Sequence, residues 1–346
     1  MKLSLCLLSL LPAASLAASP GCVNDDGKEV DWYLAMKMPN GGEYHYYDAS
    51  STKFTKSTKD ISKGDDAVGQ TLASMYSSTS SASDSYGMWN DQPTHEHAAG
   101  SSYAHSKGVY HVDEKQGFYM IHSMPAFPSA QKLGYDMLPD VKFGQTFLCM
   151  TMKTAEFDKL GEDLQTMHVY FYDSKFSSSL EAAIPNMVNA TNKVENKDVQ
   201  SNDQKFTTVG GQEFTHFAKG RYWGKELYAD LVAPSLKSDL ATETWQNGAF
   251  DNVVPTFCPP DYDYTTSNIL DLKMGDDEWK TTQDHSKWAI TTKGFDADTT
   301  KDRAACIGGI NRQYSQEKRG GATMCIENEG LNDELYDAIV DYEDCP

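Results

Sequence analysis

Two features of the sequence predict an α/β or α+β layered fold. Short alternating or apolar runs suited to strands recur along the chain, and fewer amphipathic runs suited to helices are interspersed among them. A length of 346 residues allows one large domain or two lobes sharing a core. The strand candidates are residues 30–38, 109–112, 117–121, 146–152, 167–172 and 304–310. Residues 156–164, 225–236 and 332–342 read as helices. The run 77–85 is nearly all Ser, Thr, Ala and Asp and reads as a flexible loop. Residues 83–89, just before Asn90, have little apolar character. The polar stretch 186–204 is the best candidate for a connection between halves.

The N-terminus indicates the compartment. Met1-Lys2 precedes an apolar run from Leu3 to Leu11, then Pro12 and the small residues Ala13, Ala14, Ser15, Ala17 and Ala18. That order matches a secretory signal peptide, assigned to residues 1–17, with the folded part at 18–346. No later stretch is long and apolar enough to span a bilayer. Cys6 leaves with the signal peptide, and Cys22, Cys149, Cys258, Cys306, Cys325 and Cys345 remain. An even count in an oxidising compartment reads as three disulfides, with the pairing left open by spacing alone. Without a Cys-x-x-Cys pair, neither a zinc site nor a redox motif built on cysteine is expected. Asn189-Ala190-Thr191 is a glycosylation sequon suited to a surface loop.

Charge narrows the functional classes. The formal net charge is −20, from 30 Lys+Arg against 50 Asp+Glu. Loose, charge-driven binding to nucleic acid or anionic membranes at neutral pH is disfavoured. A local basic site is still compatible, and the repulsion of a polyanion fades as histidines and carboxylates gain protons toward pH 5.

The tripeptide His-Ser-Lys occurs twice, at His105-Ser106-Lys107 and at His285-Ser286-Lys287. A histidine can attack phosphorus or pass a proton near neutral pH, and a lysine two residues on adds fixed positive charge. Chance alone gives such short pairs often, so their neighbourhoods must decide. After the first come two strands joined by the polar turn 113–116, with His122 ending the second. If the first strand begins at His105, that residue and Lys107 share a face. After the second come Gly308-Gly309, Asn311-Arg312 and the basic, glycine-rich Lys318-Arg319-Gly320-Gly321. Exposed backbone N–H groups with Lys and Arg there suit phosphate contacts. His95-Glu96-His97, with His105 or His111, carries no compelling metal-ligand spacing.

Together these segments resemble the deoxyribonuclease II family of acid endonucleases. The resemblance is carried by Val30-Asp31-Trp32-Tyr33 with Lys37 and Pro39, by Asn90-Asp91-Gln92-Pro93, and by residues 117–128. It continues through Phe143-Gly144-Gln145-Thr146-Phe147-Leu148-Cys149, Phe217-Ala218-Lys219, Asp284 to Trp288, Ile307-Gly308 with Asn311-Arg312, and Arg319-Gly320-Gly321 with Cys325. It implies a phospholipase D-like α/β fold. Two lobes, about 18–190 and 205–346, would be related by a pseudo-two-fold, with one His-x-Lys from each meeting between them. It also implies disulfides Cys22–Cys149, Cys258–Cys345 and Cys306–Cys325. The phospholipase D pattern places an acidic residue five positions after the lysine. Here Asp113 is six after Lys107 and Thr292 is five after Lys287, a departure that weakens a lipase reading. Gly144-Gln145-Thr146 reads as turn and packing chemistry.

The implied activity is metal-independent acid cleavage of DNA to 3′-phosphate and 5′-hydroxyl ends through a phosphohistidine, with no cofactor. His105, Lys107, His285 and Lys287 would be catalytic, and His122, Asn311 and Arg319 would contact substrate phosphate. Which histidine attacks is open, as is monomer against homodimer. The expected location is the secretory route, lysosomal or extracellular. The alternatives are a secreted phosphodiesterase or lipase of the same superfamily, and an inactive DNA-binding relative.

Overall fold

The computed structural model of the protein describes residues 19–77, 83–94, 96–136, 142–247, 252–292 and 303–345. The signal-peptide segment 1–17, residues 78–82 of the serine-rich stretch, and His95 lie outside the described residues. A ribbon of β1 (Cys22–Val23) and β2 (Glu29–Val30) precedes the first sheet. That sheet comprises β3 (Trp32–Lys37), β4 (Tyr44–Asp48), β5 (Thr55–Lys56), β6 (Ser85–Asn90), β7 (Lys107–Val112), β8 (Gln116–His122), β9 (Gln145–Lys153) and β10 (Phe171–Lys175). Its order is β10-β6-β7-β8-β9-β3-β4-β5. The second sheet comprises β11 (Ser201–Thr207), β12 (Glu213–Lys219), β13 (Asp239–Glu243), β14 (Thr266–Met274), β15 (Asp277–Lys280), β16 (Trp288–Thr292), β17 (Ala304–Gly308), β18 (Gly321–Glu327) and β19 (Ile339–Tyr342). Its order is β11-β12-β18-β17-β16-β13-β14-β15, with β19 also on β14. The helices are α1 (Ala67–Ser77), α2 (Glu156–Met167), α3 (Ser178–Glu181), α4 (Pro185–Thr191), α5 (Ala233–Leu236), α6 (Tyr314–Glu317) and α7 (Glu329–Asp337). The mixed α/β class expected from the sequence is the one observed.

Strand periodicity explains how both faces of the first sheet are covered. Trp32, Leu34 and Met36 of β3 enter a central core, while Tyr33 and Ala35 enter an outer one. The two-residue period sends alternate side chains to opposite faces. The central core also takes Trp288 and Ile290 of β16 and Met324 and Ile326 of β18, so it lies between the two sheets. Helix α1 covers the outer face of the first sheet through Val68, Leu72 and Met75.

Outward from the strand that follows each His-Ser-Lys, the two sheets have the same kind of order. It is β7-β8-β9-β3-β4 in the first and β16-β17-β18-β12-β11 in the second, every neighbour antiparallel. On the other side, β6 pairs with β7 and β13 pairs with β16, again antiparallel.

Several boundaries differ from the sequence expectation. Helix α2 runs through Met167 because Leu164 and Met167, three apart, both enter the central core. It ends at left-handed His168, and the strand starts only at Phe171. Residues 228–232 form a π-turn that leads into α5, where Pro234 lacks an N–H for regular α-helical bonding. Residues 332–342 divide between α7, capped by the Asn328 side chain, and β19. The stretch 186–204 is partly ordered as α4 and the start of β11, and exposed Asn189 sits on α4 rather than in a loop. β6 is fully buried despite its polar sequence, because the Tyr110 and Phe171 rings pack where Gly87 has no side chain.

All three cysteine pairs implied by the resemblance form: Cys22–Cys149, Cys258–Cys345 and Cys306–Cys325. Among the described residues no helix is long and apolar enough to cross a membrane.

Helices α2 and α4 touch at Gly161, where an added Cβ would collide with the Met187 backbone. Gly161→Ala should therefore cost about 1–3 kcal/mol. The urea-unfolding midpoint measures this, and an unchanged midpoint would show that the helices part without loss.

Candidate active site

Both tripeptides lie at the seam between the sheets, each tied to the opposite one. The His105 N–H donates to the Gly320 carbonyl at 2.9 Å, and the His285 N–H donates to the Gly144 carbonyl at 2.9 Å. Gly320 immediately precedes β18, and Gly144 immediately precedes β9. A Cβ on Gly144 would strike the Asp284 carboxylate, and one on Gly320 would strike the Met167 carbonyl, so both close approaches require glycine. Gly320 and Gly321 are buried, contrary to the expectation of exposed phosphate-binding N–H groups, because this closeness is structural. The tripeptides are also linked through one turn. The Gly308 N–H donates to the Lys287 carbonyl at 2.7 Å, and a Cβ on Gly309 would lie 3.3 Å from the Ser106 Cα.

His105 precedes β7 instead of beginning it, while Lys107 is the strand's first residue. Asp91 is the shared partner on this side. Its carboxylate accepts from Lys107 Nζ at 2.6 Å and from Arg319 Nη2 at 3.2 Å, and lies 3.9 Å from His105 Nε2. Arg319 also donates to the Tyr103 and Ala104 carbonyls, both at 3.1 Å. Burial pushes the Asp91 carboxyl up, but Lys107, His105 and Arg319 outweigh it and hold it well below the usual carboxylate range. Burial lowers the His105 ring well below its ordinary value, and Lys107, Lys287 and Arg319 lower it further against Asp91. His105 Nδ1 lies 2.9 Å from Gln316 Oε1.

On the other side, His285 is stacked on Phe143 at 4.2 Å, with the Trp245 ring against its edge at 4.1 Å. Burial, Lys287, Lys107 and Lys37 hold its ring to about 3. Its Nδ1 lies 3.4 Å from Gln145 Nε2. Lys37 donates to the Phe143 carbonyl at 2.7 Å, which fixes the stacking ring. Burial and Lys107 bring the Lys287 ammonium down to about 7, against Asp284, Asp91 and Glu243. Lys287 Nζ also donates to the His285 carbonyl. Asp284 accepts from Trp279 Nε1 and from the Ser286 N–H, both at 2.8 Å. Glu243, at the end of β13, is fully buried, with no hydrogen-bond partner among the described residues for either carboxylate oxygen. Burial and Asp284 push its carboxyl well above the usual range.

The structure gathers His105, Lys107 and Arg319 around Asp91, and the Gly308-Gly309 turn joins His285 and Lys287 to the same seam. His122 is wholly buried, stacked on Phe147 at 5.8 Å, and held to about 3 by burial and Lys107. Asn311 is buried, and its Oδ1 has no hydrogen-bond partner among the described residues. Asp91, Glu243, Gln145, Gln316, Lys37, Phe143 and Trp245 were not singled out for chemistry from the sequence. Asp91 and Gln145 sit inside the motifs of the resemblance, but only proximity in space reveals what they touch.

A family model, deoxyribonuclease II, matches residues 21–345. Plancitoxin-1 of Acanthaster planci is 32% identical over 354 residues, covering 98% of this chain and 96% of that protein. Human deoxyribonuclease-2-beta is 29% identical, over 95% of this chain and 92% of its own. Mouse deoxyribonuclease-2-alpha is 29% identical, over 98% of each. By class the protein is a hydrolase, an endonuclease. The chain belongs to the deoxyribonuclease II family.

Removing the Asp91 charge would leave Lys107 and Arg319 facing each other in a buried seam. Asp91→Asn should cost about 3–5 kcal/mol. A carboxyl held below its unfolded value contributes stability above that value and loses it as pH falls through the folded one. The stability difference between wild type and Asp91→Asn, followed by urea titration, should therefore be constant from pH 7 to pH 5. It should shrink only below about pH 4.

Proposed function

We propose that the protein is a metal-independent acid endodeoxyribonuclease cutting DNA to 3′-phosphate and 5′-hydroxyl ends through a phosphohistidine. The observation that carries this reading is the convergence on one seam of two His-Ser-Lys segments, each bonded to the other sheet. The matched strand orders around β7 and β16 support a pseudo-two-fold between two phospholipase D-like lobes. Lys107 and Lys287 supply positive charge to the non-bridging phosphate oxygens, the electrostatic task that a metal ion performs in other enzymes. One histidine attacks phosphorus as the P–O5′ bond breaks, and the other gives its proton to the leaving oxygen. Water then attacks phosphorus, the second histidine takes the water's proton, and the P–N bond breaks.

The depressed histidines fit an acid reaction that waits for substrate. With four cations nearby, both rings are held below their ordinary proton affinity in the DNA-free protein. A phosphodiester placed among them cancels part of that charge and raises their proton affinity. Asn311 is assigned to phosphate contact. Arg319 adds charge to the seam while holding residues 103–104, and His122 backs Lys107 from the core. The three disulfides fit a secretory route, lysosomal or extracellular.

Cleavage of plasmid DNA at about pH 5 in EDTA tests the reading. Wild type should nick and linearise the plasmid, and His105→Ala or His285→Ala should each lower the rate by about 10³-fold or more. Dependence on a divalent ion, or full activity in either variant, would sink the proposed site. Hydrolysis of a phospholipid without DNA cleavage would move the assignment to a secreted phosphodiesterase or lipase.

A further inference from the structure

Resting on that reading, we propose that Gln316 and Gln145 are positioning residues that hold His105 and His285 in opposite tautomers, each reaching across from the other sheet's side. Gln316 lies on α6, between β17 and β18 of the second half, yet serves the histidine before β7. Gln145 begins β9 of the first sheet, yet serves the histidine before β16. The crossing mirrors that of the backbone anchors at Gly320 and Gly144.

The chemistry of the two contacts is opposite. Gln316 presents its amide oxygen, which only accepts, to His105 Nδ1 at 2.9 Å. Nδ1 therefore carries the proton, and Nε2 keeps its lone pair on the side of Asp91 and the lysines. Helix α6 is held rigidly behind this contact, because Lys219 Nζ donates to the carbonyls of Gln316, Glu317 and Arg319 at 3.0, 2.9 and 2.7 Å. Gln145 presents its amide nitrogen, which only donates, to His285 Nδ1 at 3.4 Å. Its orientation follows from the hydrogen-bond network. The Ser123 hydroxyl accepts from the Thr146 N–H at 3.0 Å and donates to Gln145 Oε1 at 2.5 Å. His285 Nδ1 then holds the lone pair, and Nε2 holds the proton.

Two consequences follow for the reaction. His105 has a free Nε2 lone pair at rest and is built to attack. His285 is built to donate from Nε2, but becomes a strong acid only when Nδ1 is protonated as well. That protonation sets an N–H against the Gln145 N–H until the amide reverses. Gln145 therefore opposes charging of His285, together with the other groups that face it. These are Lys287 beside it, Lys107 on β7 and Lys37 on β3; the carboxyls of Asp284 and Glu243 lie behind Lys287.

Histidine ¹⁵N NMR of the DNA-free protein at pH 7 tests the assignment, with signals identified by His105→Asn and His285→Asn. The expected result is Nδ1–H for His105 and Nε2–H for His285. Gln145→Glu should convert His285 to Nδ1–H and move the alkaline limb of the DNA-cleavage pH profile up by about one unit or more. Gln316→Leu should mix the tautomers of His105. A merely structural glutamine would lower the rate equally at all pH values. The same tautomer in both rings of the wild type, or tautomers unchanged in both glutamine variants, would overturn the inference, and the wild-type spectrum decides even if a variant does not fold. Because the spectra need no activity, failure of the nuclease reading in the plasmid assay is seen separately.

Discussion

The Asp91 carboxylate is the interaction on which the site depends. Lys107, Lys287, Arg319 and Lys37 crowd a seam from which water is largely excluded, and like charges there repel strongly. Asp91 bonds Lys107 from its own sheet and Arg319 from the other, so one anion both neutralises the cluster and joins the halves. Arg319 extends the joint to the Tyr103 and Ala104 carbonyls, immediately before His105. The position of the first histidine is thus set by charge balance in the seam as well as by its backbone bond to Gly320. Among the described residues no comparable anion bonds Lys287. Its carboxyl neighbours are Asp284, occupied by Trp279 and Ser286, and Glu243, whose carboxyl burial pushes well above the usual range.

That asymmetry bears on how an acidic protein handles a polyanion. The chain carries a net charge of −20, yet its seam is a pocket of positive charge. Long-range repulsion is screened within about 10 Å at moderate salt, whereas buried charges act nearly unscreened at contact. Positive charge is therefore concentrated in the seam, and the negative charge lies on the rest of the surface. Lowering the pH weakens the surface repulsion by protonating exposed carboxylates and leaves the lysines charged.

The sequence made much of this legible. Periodicity located β3, β7, β8 and β9 well, because both faces of those strands are buried and their apolar alternation is undiluted. It failed where tertiary contacts decide: at β6, whose polar residues are covered by neighbouring rings, and at residues 332–342, where pairing with β14 overrides the helical pattern. The repeated tripeptide exposed the paired histidines and lysines. Their supporting residues stayed hidden, because Asp91, Gln145 and Gln316 are 14 to 228 residues from the site groups they meet, and no local spacing encodes such a meeting. The local pattern around Gln145 points only to a turn and packing, since its neighbours Gly144 and Thr146 do serve close packing and the β9 strand.

Reciprocity is the deeper reason that site and fold cannot be separated here. Each histidine takes its backbone anchor and its side-chain partner from the opposite half: Gly320 and Gln316 for His105, Gly144 and Gln145 for His285. A lobe alone would hold a lysine and a histidine without either constraint, and without the second pair of cations. Docking of the sheets therefore creates the electrostatic environment and fixes the ring orientations in one step. The same contacts that bury Trp32 against Phe214 across the central core align the two tripeptides. A substitution that loosens the sheet–sheet packing reaches the histidines without touching them. Conversely, the two glycines before β9 and β18 are constrained by the Asp284 carboxylate and the Met167 carbonyl that pack where a side chain would stand.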